Sequence, residues 1–269
     1  MRSSPEGIKA AEIALFGGSF TAIDREYMIE LLSSAQEFIG ENGFKGIRIS
    51  TRPDAVDGEI CDILEKYHVT AVELGAQSTN DKVLAMNRRG HTHEDIFRSA
   101  RLLKERGFEL GLQMMTGLYG SNDEDSIGPA RDIITERHRY GEYRPQTPEE
   151  AAVRCAMILP MFERAGIKVI RLGLHSGGDV EGSFVAGAYH PALREMCEGH
   201  IYFDIINRAL SGKEKGKYII YVAPREVSKA SGQRRCNIEK LRELGYECRI
   251  KENAALSARD ITLEKVNLL

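Results

Sequence analysis

The sequence predicts an α/β fold: a partial, incomplete parallel (βα) barrel, followed by a small C-terminal α/β lobe. Three observations carry this. Short β-branched runs alternate with helical spacing between residues 12 and 115. Strands joined by single helices pair in parallel through right-handed crossovers. The sequence holds no GxGxxG turn after its first strand and no Walker lysine motif, which favours a barrel over an open nucleotide-binding sheet.

The elements follow in order. Glu12 to Phe16 is an apolar run ending in Gly17-Gly18, a strand entering a turn. Asp24 caps a helix with Met28, Leu31, Leu32, Ala35, Phe38 and Ile39 at helical spacing. Ile47 to Thr51 is a strand stopped by Pro53. Asp57 opens a helix with Ile60, Ile63, Leu64 and Tyr67 on one face. Val69 to Leu74 is the third strand, expected to stop at Gly75. A short helix from Thr79 to about Asn87 comes next. Thr92 then caps a helix that turns Ile96, Phe97, Ala100 and Leu103 inward and stops at Gly107. Phe108 to Met115 is the fourth strand, with Gly111 and Gln113 unusual in a core position.

From Gly117 to Gly166 the rhythm breaks. Thr147-Pro148-Glu149-Glu150 is a capping box with Pro at the first helical position, and Pro160 predicts a kink. Ile167 to Leu174 is expected as a fifth strand, which leaves one strand-sized slot empty before it. A Gly-rich loop spans Ser176 to Ala188, and Pro191 to Leu210 is helical. The tail reads as strand (Tyr218–Val222), helix (Asn237–Leu244), strand (Tyr246–Lys251) and a final strand (Ile261–Val266). Residues 1–210 are assigned to the barrel and 211–269 to the lobe.

Composition narrows the function classes. A net charge of -3 gives no global attraction to nucleic acid, and no DNA partner is expected. No apolar run approaches the ~20 residues of a membrane helix, and the N-terminus lacks a signal-peptide core, so a cytoplasmic protein is expected. Five Cys, scattered and odd in number, form neither a disulfide framework nor a zinc knuckle.

The candidate site residues lie at the carboxyl ends of the strands, where parallel barrels bind ligands. Gly17-Gly18-Ser19-Phe20 reads either as a close backbone approach to a ligand or as a tight turn. Ser50 and Arg52 put a hydroxyl and a guanidinium at the second strand end. Glu73 is a carboxylate inside a core strand, either functional or paired with Arg48, and Gln77 and Ser78 follow it. Arg88-Arg89-Gly90-His91-Thr92 is an anion cradle or a capping loop. Gln113 completes the series.

Taken together, these stretches resemble the radical S-adenosylmethionine (radical SAM) superfamily. The resemblance is to the branch of the Elongator catalytic subunit and its short bacterial relatives without an acetyltransferase domain. It rests on Phe16-Gly17-Gly18-Ser19-Phe20-Thr21-Ala22, Ile49-Ser50-Thr51-Arg52-Pro53-Asp54, Glu73-Leu74-Gly75-Ala76-Gln77-Ser78, Asn87-Arg88-Arg89-Gly90-His91-Thr92 and Gly111-Leu112-Gln113-Met114-Met115. Tyr189-His190-Pro191-Ala192 and Ser231-Gly232-Gln233-Arg234-Arg235-Cys236-Asn237-Ile238 continue it.

The resemblance implies a partial barrel, SAM and a 4Fe-4S cluster as cofactors, a reductant protein as partner, and radical chemistry on a substrate, with a tRNA base as the expected target. It also implies cofactor contacts from the Gly17-Gly18-Ser19 turn and the Ser50, Gln77 and Gln113 neighbourhoods. No CxxxCxxC run occurs in these residues, so cluster ligands are not expected from this chain, which reads as truncated at its start. The alternative is a non-catalytic RNA- or nucleotide-binding remnant of such a barrel. The lobe carries eleven Lys and Arg against five acidic residues between Ser211 and Lys251. Lys229, Arg234 and Arg235 are its candidate RNA contacts, with Tyr218, Tyr221 and Tyr246 among the cations.

Overall fold

Residues 11–41, 43–121, 144–173 and 188–266 are described by the computed structural model. They fall in two compact units, Met1–Tyr143 and Arg144–Leu269.

In the first unit, β1 (Glu12–Leu15), β2 (Gly46–Thr51), β3 (Val69–Gln77) and β4 (Glu109–Met114) form a four-stranded sheet in that order. All three pairings are parallel, with Leu15 opposite Ile49, Thr51 opposite Leu74 and Gln77 opposite Met114. The crossovers are α1 (Arg25–Gln36), α2 (Gly58–Lys66), and α3 (Asp81–Met86) with α4 (His93–Glu105). Each begins at a side-chain cap: Asp24 to Tyr27 N, Asp57 to Ile60 N, Asn80 to Lys82 N, and Thr92 in a capping box with Asp95. Alternation along β2 turns Ile47, Ile49 and Thr51 toward the helices and Arg48 and Ser50 to the other face. Ile47, Ile49, Val72 and Leu74 pack on Met28 and Leu32 of α1, Ile60 and Leu64 of α2, and Leu103 of α4. This is an open parallel arc, the incomplete barrel that the alternation predicts.

Four expectations need correction. The third strand does not stop at Gly75 but continues through it to Gln77, because β4 pairs as far as Gln77. The first helix ends at Gln36, which leaves Phe38 60% exposed. Phe97 is also 60% exposed; Ile96, Ser99 and Leu103 form the inner face of α4, and Phe97 makes an edge contact with His93 instead. Residues 167–173 form no strand: Ile167 and Ile170 are exposed, and no neighbouring strand offers them a ladder among the described residues. The empty strand slot falls largely in residues 122–143, outside the described residues, as does most of the Gly-rich loop.

In the second unit, α5 (Pro148–Arg164) starts on the expected Thr147–Glu150 capping box and keeps Pro160 inside it. Its small residues Ala151, Ala152 and Ala156, with Leu159, pack on Leu193, Met196, Cys197 and Ile201 of α6 (Leu193–Leu210). A three-stranded sheet follows, in the order β6 (Tyr246–Glu252), β5 (Gly216–Val222), β7 (Ile261–Lys265). β5 and β6 are parallel, joined through α7 (Val227–Ser231) and α8 (Cys236–Glu243); β7 is antiparallel to β5. One sheet face buries Tyr218, Ile220, Val222, Tyr246 and Cys248 against Tyr202, Ile206 and Leu210 of α6 and Leu241 of α8. The two compact units divide at Tyr143/Arg144, and α6 shares its core with this sheet. No helix of the described residues is long and apolar enough to cross a membrane.

Candidate functional site

Parallel pairing carries the ends of β1, β2, β3 and β4 to one edge of the first unit. At the end of β1, Gly17 (φ 147°) and Gly18 (φ 85°) occupy backbone conformations that favour glycine. A Cβ added at either would meet nothing within 4 Å, so the backbone lies open here. Ser19 is half-buried after them, and Phe20 turns inward, 6% exposed, into the core. Phe20 is thus a core anchor, not a contact surface.

The turn is fixed by two residues the sequence gave little reason to single out. Thr21 Oγ1 lies 2.6 Å from Thr51 Oγ1 and donates to the Ala55 carbonyl, while Thr21 N donates to Thr51 Oγ1 at 3.2 Å. Both threonines are buried, so these bonds are shielded from water and tie the glycine turn to the end of β2. Thr51 ends β2 and Thr21 lies in the short turn of helix after the glycines, and only the pairing of β1 with β2 brings them together.

At the end of β2, Ser50 is half-buried on the face opposite the helices. Arg52 pairs with Asp54, its Nε 2.9 Å from Oδ1. That hydrogen bond holds the Asp54 carboxyl below the usual carboxylate range and raises Arg52. Arg52 also lies against Gly90, its Nη2 3.5 Å from where a Cβ would stand. The neighbouring Arg89 guanidinium is pushed down by burial and then by the charge of Arg52, so two cations share this corner.

At the end of β3, Gln77 has a left-handed backbone (φ 66°) and is 4% exposed, with its Oε1 buried and unpartnered among the described residues. Ser78, also buried, accepts from Asn80 N at 3.1 Å and so builds the turn into α3. His91 Nε2 lies 3.1 Å from the Ala76 carbonyl. Gln113 is exposed on the edge strand β4.

Glu73 belongs elsewhere. Arg48 reaches Glu12 (2.8 Å), Glu109 (3.0 Å) and Glu73 (3.4 Å), gathering carboxylates from β1, β4 and β3 onto the face opposite the helices. A Cβ at Gly111 would come within 2.9 Å of Glu73 Cγ, so the unusual glycine of β4 exists to let Glu73 lie across it. The structural reading of Glu73 is the one this geometry favours.

Residues 6–127 match the family described as the radical SAM superfamily. Those residues belong to the radical SAM superfamily. A tRNA uridine(34) acetyltransferase of Methanocaldococcus infernus is 26% identical to the chain over 180 residues, 52% of this chain and 34% of that protein. Elongator complex protein 3 of Bos taurus is 30% identical over 51% of this chain and 28% of its own length. The chain thus spans about a third of the length of these curated relatives, to which it is similar. A solved structure, the archaeal Methanocaldococcus infernus Elp3 with an N-terminal deletion, shares the fold. Its TM-score is 0.55 at 21% identity, covering 73% of this chain and 59% of that one.

Radical SAM membership implies an iron–sulfur cluster, and the residues present do not fit one. Cys61 is the only cysteine of the first unit; it is buried in α2 and its thiol is pushed up by burial. Cys155, Cys197, Cys236 and Cys248 lie in the second unit. Burial pushes Cys197 up to about 12 and Cys248 to about 11, the opposite of a metal-binding thiolate. Among the described residues no group of three His, Cys, Asp or Glu is placed to hold a metal ion.

In the second unit, Lys229 is engaged by Glu226 at 2.6 Å. Arg234 (φ 52°) and Arg235 (φ 64°) are exposed, with no side-chain partner among the described residues. Tyr218 and Tyr246 are each 4% exposed with their hydroxyls on backbone carbonyls, so neither can stack on a base.

Proposed function

We propose that the carboxyl edge of β1–β4 binds S-adenosylmethionine, in a radical SAM protein that serves modification of a tRNA base. The observation that carries the reading is the open Gly17–Gly18 backbone, pinned by the Thr21–Thr51 pair and facing unobstructed space. The amino-acid part of the ligand would meet that backbone with Ser19 and Ser50 beside it. Arg52, held by Asp54, stands at the same edge. Gln77 supplies an unused acceptor for an adenosine hydroxyl or amino group. Ser78 shapes the turn, and Gln113 flanks the mouth from β4. The tRNA assignment rests on the names of the relatives, and Arg234 and Arg235 are the available contacts of the three proposed for RNA. Reductive SAM cleavage requires a cluster that the cysteines of this chain do not build, so the role assigned to these residues is binding.

Calorimetric titration tests this. One saturable but weak SAM site is expected, since no iron anchors the ligand. Gly18→Ala should weaken it at least tenfold, about 1.4 kcal/mol, by straining a φ of 85° and filling the open space. No heat at saturating SAM, or an unchanged Gly18→Ala variant, rejects the site. Anaerobic iron–sulfur reconstitution should leave the chain without stoichiometric iron; a loaded cluster would overturn the misfit.

A further inference from the structure

The second unit has a sheet with one covered face and one bare one. Tyr218, Ile220 and Val222 of β5 turn toward α6 and α8, so Lys217, Ile219 and Tyr221 turn the other way. The registers set the bare face as three rungs: Lys217 beside Glu247, Ile219 between Arg249 and Glu264, and Tyr221 between Lys251 and Thr262. Among the described residues, no element of the second unit packs there. Ile219 and Tyr221, on the central strand, remain only half-buried.

The charges on this face are not balanced evenly. Lys217 is paired with Glu247, and Glu264 accepts the Tyr221 hydroxyl at 2.7 Å. That bond pins the ring of Tyr221 in place. Arg249 and Lys251, two residues apart on the same face of β6, are exposed and have no side-chain partner among the described residues. Two unpaired cations side by side flank one fixed aromatic ring. The rung of Tyr221 and Lys251 is also the last on this face before the carboxyl edge of β5, from which the connection through α7 that carries Arg225, Arg234 and Arg235 departs. All three of those arginines are exposed, with positive φ.

We infer that this bare face binds an unpaired RNA strand, a base stacking on Tyr221 and neighbouring phosphates meeting Arg249 and Lys251. The inference rests on the tRNA-directed reading above and gives it a surface. A flat base needs an aromatic platform, and an anionic backbone needs cations in a row beside it; the β5–β6 face offers both within one rung of each other. An anionic protein segment would use the cations but gain nothing specific from the ring.

Fluorescence anisotropy of the full chain with a labelled oligouridine at low salt is the test. Saturable binding is expected, weakening steeply as salt rises. Arg249→Ala with Lys251→Ala should lower the slope of log affinity against log salt by about 1.4, two single-strand phosphates' worth. Tyr221→Leu keeps the apolar bulk but removes the platform, and should weaken binding roughly 5- to 150-fold. Unfolding midpoints matching wild type show that the variants fold. Should Tyr221→Leu not fold, Tyr221→Phe keeps the ring and should retain binding. Absent binding, binding indifferent to these changes, or equal competition by polyglutamate that Tyr221→Leu leaves untouched would overturn the proposal. SAM titration of the same samples reads the first unit separately, so the failure of one site is distinguishable from failure of the other.

Discussion

At the scale of single residues, Arg48 carries the most. One guanidinium serves Glu12, Glu73 and Glu109, and Thr70 Oγ1 donates to Glu12 at 2.7 Å. Arg48→Met should therefore cost about 2–4 kcal/mol: removing one partner leaves carboxylates unpaired, and the exposure of Glu109 moderates the loss. Urea unfolding checks this, and a change under about 0.5 kcal/mol would mean the network is ornamental. The pairing of Arg48 with Glu73 was legible, because a carboxylate in a core strand beside a strand with an arginine suggests it. Glu12 and Glu109 were not, since one lies a strand before Arg48 and the other two strands after it, and they meet Arg48 only once the sheet order is known. Phe20 shows the converse: its place in the motif suggested a contact, and its burial assigns it to the core.

At the scale of elements, capping was read well and strand ends less well. Asp24, Asp57, Thr92 and Thr147 all cap as their spacing indicates, because a cap is a bond between residues two or three apart. Strand ends depend on a partner: β3 outruns Gly75 because β4 lies beside it, and residues 167–173 form no strand because none does. One inter-element tie gives a pH prediction. His93 bonds Asp81 through both its backbone N (2.7 Å) and its ring Nδ1 (2.8 Å), joining α3 to α4. The hydrogen bond to Asp81 raises His93 above its usual value, and His93 lowers Asp81. The histidine contribution is therefore full below the unfolded value near 6.5 and is lost as pH rises through the higher folded value. The aspartate contribution is present above about 3.9 and is lost as pH falls. His93→Gln should thus lower the unfolding midpoint more at about pH 5.5 than at about pH 8.5, by a small margin at this exposed site. Equal losses at both would remove the ion pair from the account.

At the scale of the whole molecule, the two units have separate cores, and the cysteines report on both. Cys61, Cys197 and Cys248 are buried, while Cys155 and Cys236 are half-exposed. Titration with a thiol reagent should find fast reaction confined to the half-exposed pair, and the buried three released only by denaturant. Fast reaction of Cys61 or Cys248 in the native chain would show that the corresponding core is looser than its packing. This readout also separates the misfit with a cluster from simple unfolding.

Local features are legible in the order of residues alone: the alternation of strand and helix, the caps, the parallel class, and the motif series that resembles a radical SAM edge. Those follow from periodicity and short-range bonds, which the order of residues specifies directly. Packing was needed to show that Thr21 and Thr51 lock the glycine turn, that Glu73 lies over Gly111 toward Arg48, and that α6 belongs with the sheet of the second unit. It also decided that Tyr221 alone of the three lobe tyrosines faces outward while Tyr218 and Tyr246 are core. Each of these depends on which strands become neighbours and which face is covered, and burial, not residue type, then settles whether a polar group is a scaffold or a contact.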